Sequence, residues 1–511
     1  MPGPHFLGSS LRMLAGLSIS ILSLAPGLRA QTWNNPGTGD WTQAANWTGG
    51  LPNSGTNAVI NNGGTATLAG IGAAASLFVG SANTGTLSIS SGGALSVAST
   101  TFIGSGSGTG FANISGGTWD TAGDFFTGYF RPGTLGVTGG TVTVGGNSYV
   151  AYSSTSGATI SNGSWTTTGG LYVGVDAGLG GAGTLTINGG TVTALTVPLA
   201  TDLGSTGTIN LNGGALATTQ IVESNGTGGG FLNFNGGTLR ATANATSLID
   251  GFETGDVQLL AGGGAIDTNG FAAGISTALQ GAGGLTKQGA GVLTLSGASN
   301  YSGTTVVTGG TLNVTGSISG GDDITVQAGG SLSGTGSVSA STGNYLYLNG
   351  SLIVGNTSLG SPVSSVLDLA TSGAGSTLMG AGSTLALDLF MRGGNLTGNT
   401  SAADHISLAG LLDATAGGTL VLGNPNGLSG FSVGDSWSLF DLISGPGSIS
   451  GSIAVNASAL NLGVGLAGDF DETTGVLSII NAIPEPTRAL LILGGMSVVA
   501  TRRRRHAPGL C

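Results

Sequence analysis

Leu185-Thr-Ile-Asn-Gly-Gly-Thr-Val192, Ile209-Asn-Leu-Asn-Gly-Gly-Ala-Leu216 and Leu232-Asn-Phe-Asn-Gly-Gly-Thr-Leu239 are copies of one unit: an alternating run, a glycine turn, a second alternating run. Working outward, the same unit recurs as Leu87-Ser-Ile-Ser-Ser-Gly-Gly-Ala-Leu95, Ala112-Asn-Ile-Ser-Gly-Gly-Thr-Trp119, Leu135-Gly-Val-Thr-Gly-Gly-Thr-Val142 and Thr159-Ile-Ser-Asn-Gly-Ser-Trp165. The second glycine of each turn falls at 93, 117, 140, 163, 190, 214 and 237, in steps of 24, 23, 23, 27, 24 and 23. A second marker keeps the same phase: Phe78-Val-Gly80, Phe102-Ile-Gly104, Phe126-Thr-Gly128, Tyr149-Val-Ala151 and Tyr172-Val-Gly174. Two independent markers at one period identify an internal repeat.

A unit of 23 residues holds two or three short strands joined by glycine corners and leaves no room for a helix. One unit cannot bury its own apolar face, but stacked units pair each strand with its counterpart about 4.8 Å away and line the interior with like residues. The expected fold is therefore all-β, a parallel β-helix of about 23 residues per coil, right-handed by the crossover rule, with about 14 coils between Gln31 and Leu348. Propeller blades need about 40–50 residues each, so this spacing argues against them. Trp33, Trp41 and Trp47 lie in a segment, 31–62, read as the N-terminal cap over the first open edge; its alternative is an aromatic platform for sugars. Coils are expected over 63–344. The markers fade over 345–482, read as a C-terminal β region, either a sandwich or an irregular continuation of the helix.

Composition agrees. Of 511 residues, 103 are glycine and only 6% are charged. Long solvated helices need charged faces and few glycines, and are excluded. Eleven Lys+Arg against 22 Asp+Glu lack the basic footprint of a nucleic-acid binder. Cys511 is the single cysteine, so there is no disulfide framework, thiolate metal site or thiol nucleophile in the body. Between Gln31 and Ile483 only Arg131, Arg240, Lys287 and Arg392 are cationic, against 21 acids.

Two stretches carry family resemblances. Gly281-Ala-Gly-Gly-Leu-Thr-Lys-Gln-Gly-Ala-Gly-Val-Leu-Thr-Leu-Ser-Gly-Ala-Ser-Asn-Tyr-Ser-Gly-Thr-Thr-Val-Val-Thr-Gly-Gly-Thr-Leu-Asn-Val314 resembles the autotransporter-associated β-strand repeat. The resemblance implies a passenger-type β-helix of a secreted surface protein. The residues that follow lack the ten-residue membrane strands and aromatic girdles of an outer-membrane barrel. At the other end, Pro484-Glu485-Pro486, Arg488, the apolar run Ala489 to Thr501 and the cluster Arg502, Arg503, Arg504 and Arg505 resemble the PEP-CTERM sorting signal of Gram-negative bacteria. Over 483–511 this implies a short C-terminal transmembrane helix that holds the precursor in the inner membrane transiently. An exosortase-type membrane protease would then release the protein to the cell surface or outside. The arginines suit a cytoplasmic stop. The apolar run is only 13 residues, about 20 Å of helix against a hydrocarbon core of about 30 Å, so flanking arginines must snorkel. Residues 1–30, with Arg12 before the apolar run Met13 to Ala25, read as a signal peptide for the Sec export machinery, cleaved after Ala30.

Chemistry is sparse. Asp322-Asp323 and Asp469/Asp471-Glu472 are the nearest carboxylate clusters, and Asp124 and Asp176 would align only if their coils did. Asp404-His405 is read as surface polar structure. Gly262-Gly-Gly-Ala-Ile-Asp267 is similar to a calcium nonapeptide without its repetition. No catalytic, cofactor-binding or metal residues are assigned. The leading expectation is a non-enzymatic secreted or cell-surface structural or adhesive protein, an adhesin associated with exopolysaccharide or matrix. The alternative is a carbohydrate-active enzyme, a lyase or hydrolase, on the same scaffold.

Overall fold

A computed structural model describes residues 30–175, 180–223, 229–355, 365–369, 376–392, 395–396, 399, 401–441 and 447–482. These form an all-β solenoid of the right-handed type with about 24 residues per turn. Among the described residues the only helical segments are single 3-10 turns, Ala44–Asn46 and Ser458–Leu460.

Each coil passes through three faces. Gly85–Ile89, Ala94–Val97 and Thr101–Ile103 lie on the first, second and third face of one coil, and Gly110–Ile114 returns to the first. The second face is a ladder of 16 strands from Ile71–Ala74 to Ser448–Gly451. Pairing along it is parallel throughout.

Strand alternation turns every second residue inward, and register stacks them. Leu87, Ala112, Leu135, Ala158, Leu185, Ile209, Leu232 and Val257 form one buried column on the first face. Leu95, Trp119, Val142, Trp165, Val192, Leu216, Leu239 and Ile266 form its counterpart on the second. Each large aliphatic side chain so buried contributes about 1.5–3 kcal/mol. The corners need glycine. Gly117 sits at φ +74°, and a Cβ there would collide with the carbonyl oxygen of Gly93 on the coil below.

The coil length is not constant. Register steps on the second face run 23–27 residues from Ile71 to Ala265. They shorten to 19–22 from Gly264 to Leu346 and lengthen to 31, 35 and 37 beyond. The contraction coincides with a break in the first face. Its ten-stranded ladder ends at Val257–Leu259, and a six-stranded ladder begins at the two-residue strand Ala298–Ser299. Between them no strand pairs on this face, and the gap is crossed by the bridge Gln258–Gln280 and by single backbone bonds from Gly283 to Leu259, Asn300 to Leu279 and Ser302 to Gly281. The ladders of the second and third faces run on past Tyr345, so the described residues between 346 and 456 continue the helix.

Both ends depart from the parallel pattern. Trp33 pairs antiparallel with Trp47. Trp33, Trp41 and Trp47 are buried edge to face, with centroids 5.1 and 4.7 Å apart, and fill the first layer of the core. At the other end Ser436–Ser438, Val476–Asn481 and Leu466–Asp471 make an antiparallel sheet that packs Trp437, Phe470, Leu477 and Ile479 inward.

Candidate functional site: an aromatic ladder on the third face

On the third face the middle residue of each three-residue strand points outward. Five successive coils put an aromatic ring there: Phe78, Phe102, Phe126, Tyr149 and Tyr172, all in direct register. Their rings stack at centroid distances of 5.2, 5.1, 4.5 and 5.0 Å, within 15° of parallel. The glycine after each strand turns the chain sharply at positive φ: Gly80 at +74°, Gly104 at +76°, Gly128 at +82° and Gly174 at +75°. Ala151 takes the same corner at +64°.

Just beyond these corners a second layer covers the ladder. Tyr129 and Tyr152 stand at 75° and 83° to Phe126, with centroids 4.9 and 5.6 Å away, and lie 5.0 Å from each other. Phe130 packs edge-on against Tyr129 and is 40% exposed. A polar rim runs alongside. The Asn147 side-chain amide donates to the Tyr149 hydroxyl at 3.5 Å, its Oδ1 accepts the Gly170 amide at 2.9 Å, and Asp124 Oδ1 accepts the Asn147 backbone amide at 2.8 Å. Burial raises the pKa of the Tyr129 and Tyr149 phenols above the ordinary 10, Tyr152 and Asp124 respectively adding to it, so both keep their protons at neutral pH. The sequence shows the column Phe78 to Tyr172 as a repeat marker. It does not reveal that Tyr129, Phe130 and Tyr152 join it, although the 23-residue step from Tyr129 to Tyr152 is the signal that would have pointed there.

The acids that sequence reading singled out do not come together. Asp323 Oδ1 caps the Tyr345 amide at 2.9 Å and Asp322 holds the Asn344 side chain at 3.3 Å. Asp471 closes its own turn, its carboxyl held below the usual range by the Thr473 hydroxyl and then the Thr473 amide, and Glu472 caps the Ile453 amide at 2.9 Å. Asp176 lies outside the described residues. Asp267, in the glycine-rich stretch similar to a calcium loop, sits on the strand Gly264–Asp267 and pairs with Arg240 at 3.3 Å. Among the described residues no group of three His, Cys, Asp or Glu side chains is close enough to hold a metal ion.

One expectation is corrected. Asp404 and His405 are not surface residues: both are buried. Asp404 accepts the Ser365 amide at 2.8 Å and the Asp388 amide at 3.1 Å, and burial pushes its carboxyl up to about 7. Consecutive polar residues enter the core here because Asp404 caps two backbone amides where the coils widen.

A surface groove of about 510 Å³ opens where the first face breaks, lined by Gly251, Phe252, Thr254, Ser276, Thr277, Ala278, Gly297 and Ala298, none of them ionisable. Ala30 begins the first strand, exposed and paired with Asn57. Pro484, Glu485, Pro486 and Arg502 to Arg505 lie outside the described residues, as does the expected C-terminal membrane helix. Among the described residues no helix is long and apolar enough to cross a membrane.

The stretch from Leu285 onward is where comparison with known proteins bears. Residues 285–314 match the passenger-associated-transport-repeat family model. No curated protein matches the chain. The matched stretch is one and a half turns of the solenoid, from Leu285–Gln288 to Gly310–Val314. Lys287 and Tyr301 are two of its fully buried polar side chains. Lys287 Nζ donates to the carbonyls of Gln288, Gly289 and Gly309 at 2.7, 2.8 and 3.0 Å, and burial lowers its ammonium to about 8. The Tyr301 hydroxyl meets Thr305 Oγ1 at 2.6 Å. Repeat and solenoid together fit a secreted, passenger-like β-helix protein.

Proposed function

We propose that this protein is a secreted or cell-surface structural, adhesive β-helix without enzymatic activity, delivered by the Sec machinery and sorted through its PEP-CTERM signal. In this reading Arg502 to Arg505 hold the precursor in the inner membrane until an exosortase-type protease cuts near Pro484-Glu485-Pro486. The mature solenoid then associates with exopolysaccharide or matrix. The observation that carries it is the passenger-type repeat seated within a long, regular solenoid. One outer column of the first face is small and polar: Ser88, Asn113, Gly136, Thr159, Thr186, Asn210 and Asn233. The scattered turn-capping roles of the acids, and a groove without an ionisable lining, support a non-catalytic role over lyase or hydrolase chemistry, which needs convergent carboxylates.

The sorting claim is tested by fractionating an exosortase-bearing host that expresses the chain with and without residues 484–511. Surface delivery is expected only for the full chain, and equal delivery of both overturns the claim. Degradation of polysaccharide by the purified protein would overturn the non-enzymatic reading.

A further inference from the structure

The aromatic ladder is not needed to close the core. One outward column of the first face, Ser88, Asn113, Gly136, Thr159 and Thr186, makes the same backbone ladders with small and polar residues. Yet the chain, with 15 Phe, 6 Trp and 7 Tyr in all, gathers eight rings on this one outer strip. We infer that this strip, Phe78 to Tyr172 with Tyr129 and Tyr152 over it, is the docking surface for an extended, uncharged polysaccharide strand lying along the solenoid axis. The inference rests on the matrix-associated reading above and names the surface that would serve it.

Three features select that occupant. The first is shape. Five rings at 4.5–5.2 Å make a row about 20 Å long with Tyr129 and Tyr152 standing across its middle, a strip that runs along the solenoid axis as a linear chain would. A second copy of the protein is a poor fit: a strip about 20 Å by 10 Å offers about 200 Å², against the ~800 Å² per partner of a stable interface. The second is chemistry. The ladder rings stack face to face, and Phe78 and Phe126 are buried. A pyranose ring would therefore lay its apolar C–H face on the half-buried edges of Phe102, Tyr149 and Tyr172 and on the outer rings Tyr129, Phe130 and Tyr152, while the Tyr149 hydroxyl and the Asn147 amide, 3.5 Å apart, present donors and acceptors beside them. The phenols of Tyr129 and Tyr149, protonated at neutral pH, donate to sugar hydroxyls. The third is charge. With 11 basic against 22 acidic residues and Asp124 in the rim, the protein repels polyanions, so the strand it fits is neutral.

The test uses the full purified chain in affinity gels and pull-downs with neutral glucans (cellulose and dextran) and with anionic alginate. Retention by a neutral glucan is expected, with little by alginate. The double variant Tyr129→Ser/Tyr152→Ser should lose at least tenfold in retention, and Tyr345→Ser/Tyr347→Ser, a half-buried pair on a distant coil, should lose none. Unchanged circular dichroism and thermal transitions show that both variants fold. Equal retention of the wild type and the ladder variant overturns the inference, as does absence of binding to either neutral glucan. Concentration-dependent self-association in sedimentation velocity that the ladder variant abolishes would overturn it too, assigning the strip to a second copy. Normal surface delivery without glucan binding would sink this inference alone, whereas failed delivery would count against the proposed function.

Discussion

The coils between Ile71 and Ala265 and those beyond Leu285 satisfy the same backbone ladders with different interiors. In the first group the Leu87–Val257 and Leu95–Ile266 columns are aliphatic or aromatic, Thr101 and Ser148 stand buried in the third-face column, Glu223 caps the Gly229 and Gly230 amides, and the cation Arg240 stays outside with Asp267. In the second, the buried polar side chains include a cation: Lys287 caps three carbonyls, Tyr301 bonds Thr305, and Asp404 caps two amides. The difference follows coil length. Where successive coils keep nearly the same length, most peptide groups find their partner one coil away, Gly229 and Gly230 on Glu223 being exceptions. Where the first face lapses and coils shorten or widen, some backbone groups lose that partner, and a buried group without one costs about 1–3 kcal/mol. Side chains then supply it.

That contrast can be broken at several strengths. The largest effect is expected from Trp119→Ala in the regular coils. It empties a fully buried site that packs on Phe125 at 5.1 Å and should cost about 3–5 kcal/mol. Because neighbouring coils support one another, hydrogen exchange should show lost protection on the flanking coils first. Next, Lys287→Met keeps much of the volume but strips a donor from three carbonyls, of which Gln288 alone keeps the Thr268 amide and hydroxyl at 3.1 Å. A loss of about 2–3 kcal/mol is expected, read by denaturant unfolding and by exchange at Gln288, Gly289 and Gly309. If Lys287→Met were neutral, the idea that side chains replace ladder partners would fail at its clearest site.

Asp404 sharpens the comparison through pH. Its folded-state carboxyl sits near 7 against an ordinary 3.8, so the folded state holds its proton more tightly than the unfolded chain does. The associated stability is full below the unfolded value and is lost as pH rises from about 4 through about 7. The stability advantage of wild type over Asp404→Asn should therefore shrink between pH 4.5 and pH 7.5, measured by melting both at each pH. An advantage that grew instead would reverse the assigned sign. The smallest effect belongs to the corner of the regular coils. Ala151 holds φ +64° where neighbouring coils use glycine. Ala151→Gly should raise stability by about 1 kcal/mol, while Gly128→Ala, at φ +82° and against Ser156 Oγ, should lower it.

Sequence reading reached the repeat, the strand units, the glycine corners and the in-phase marker from Phe78 to Tyr172, because each repeats every coil; that this column faces outward came from the structure. It placed Asp404 and His405 outside because a lone polar pair is most often solvated, and no local pattern marks a backbone group that has lost its ladder partner.

The sequence by itself determined the period near 23 residues and the parallel stack, since a short apolar unit with glycine corners can bury its face only against copies of itself. The tertiary structure alone decided where coil length changes, which polar side chains follow it into the core, and that Tyr129 and Tyr152 lie across the aromatic column. These depend on which coil lies above and below, a relation between residues some twenty to forty positions apart that no single stretch encodes.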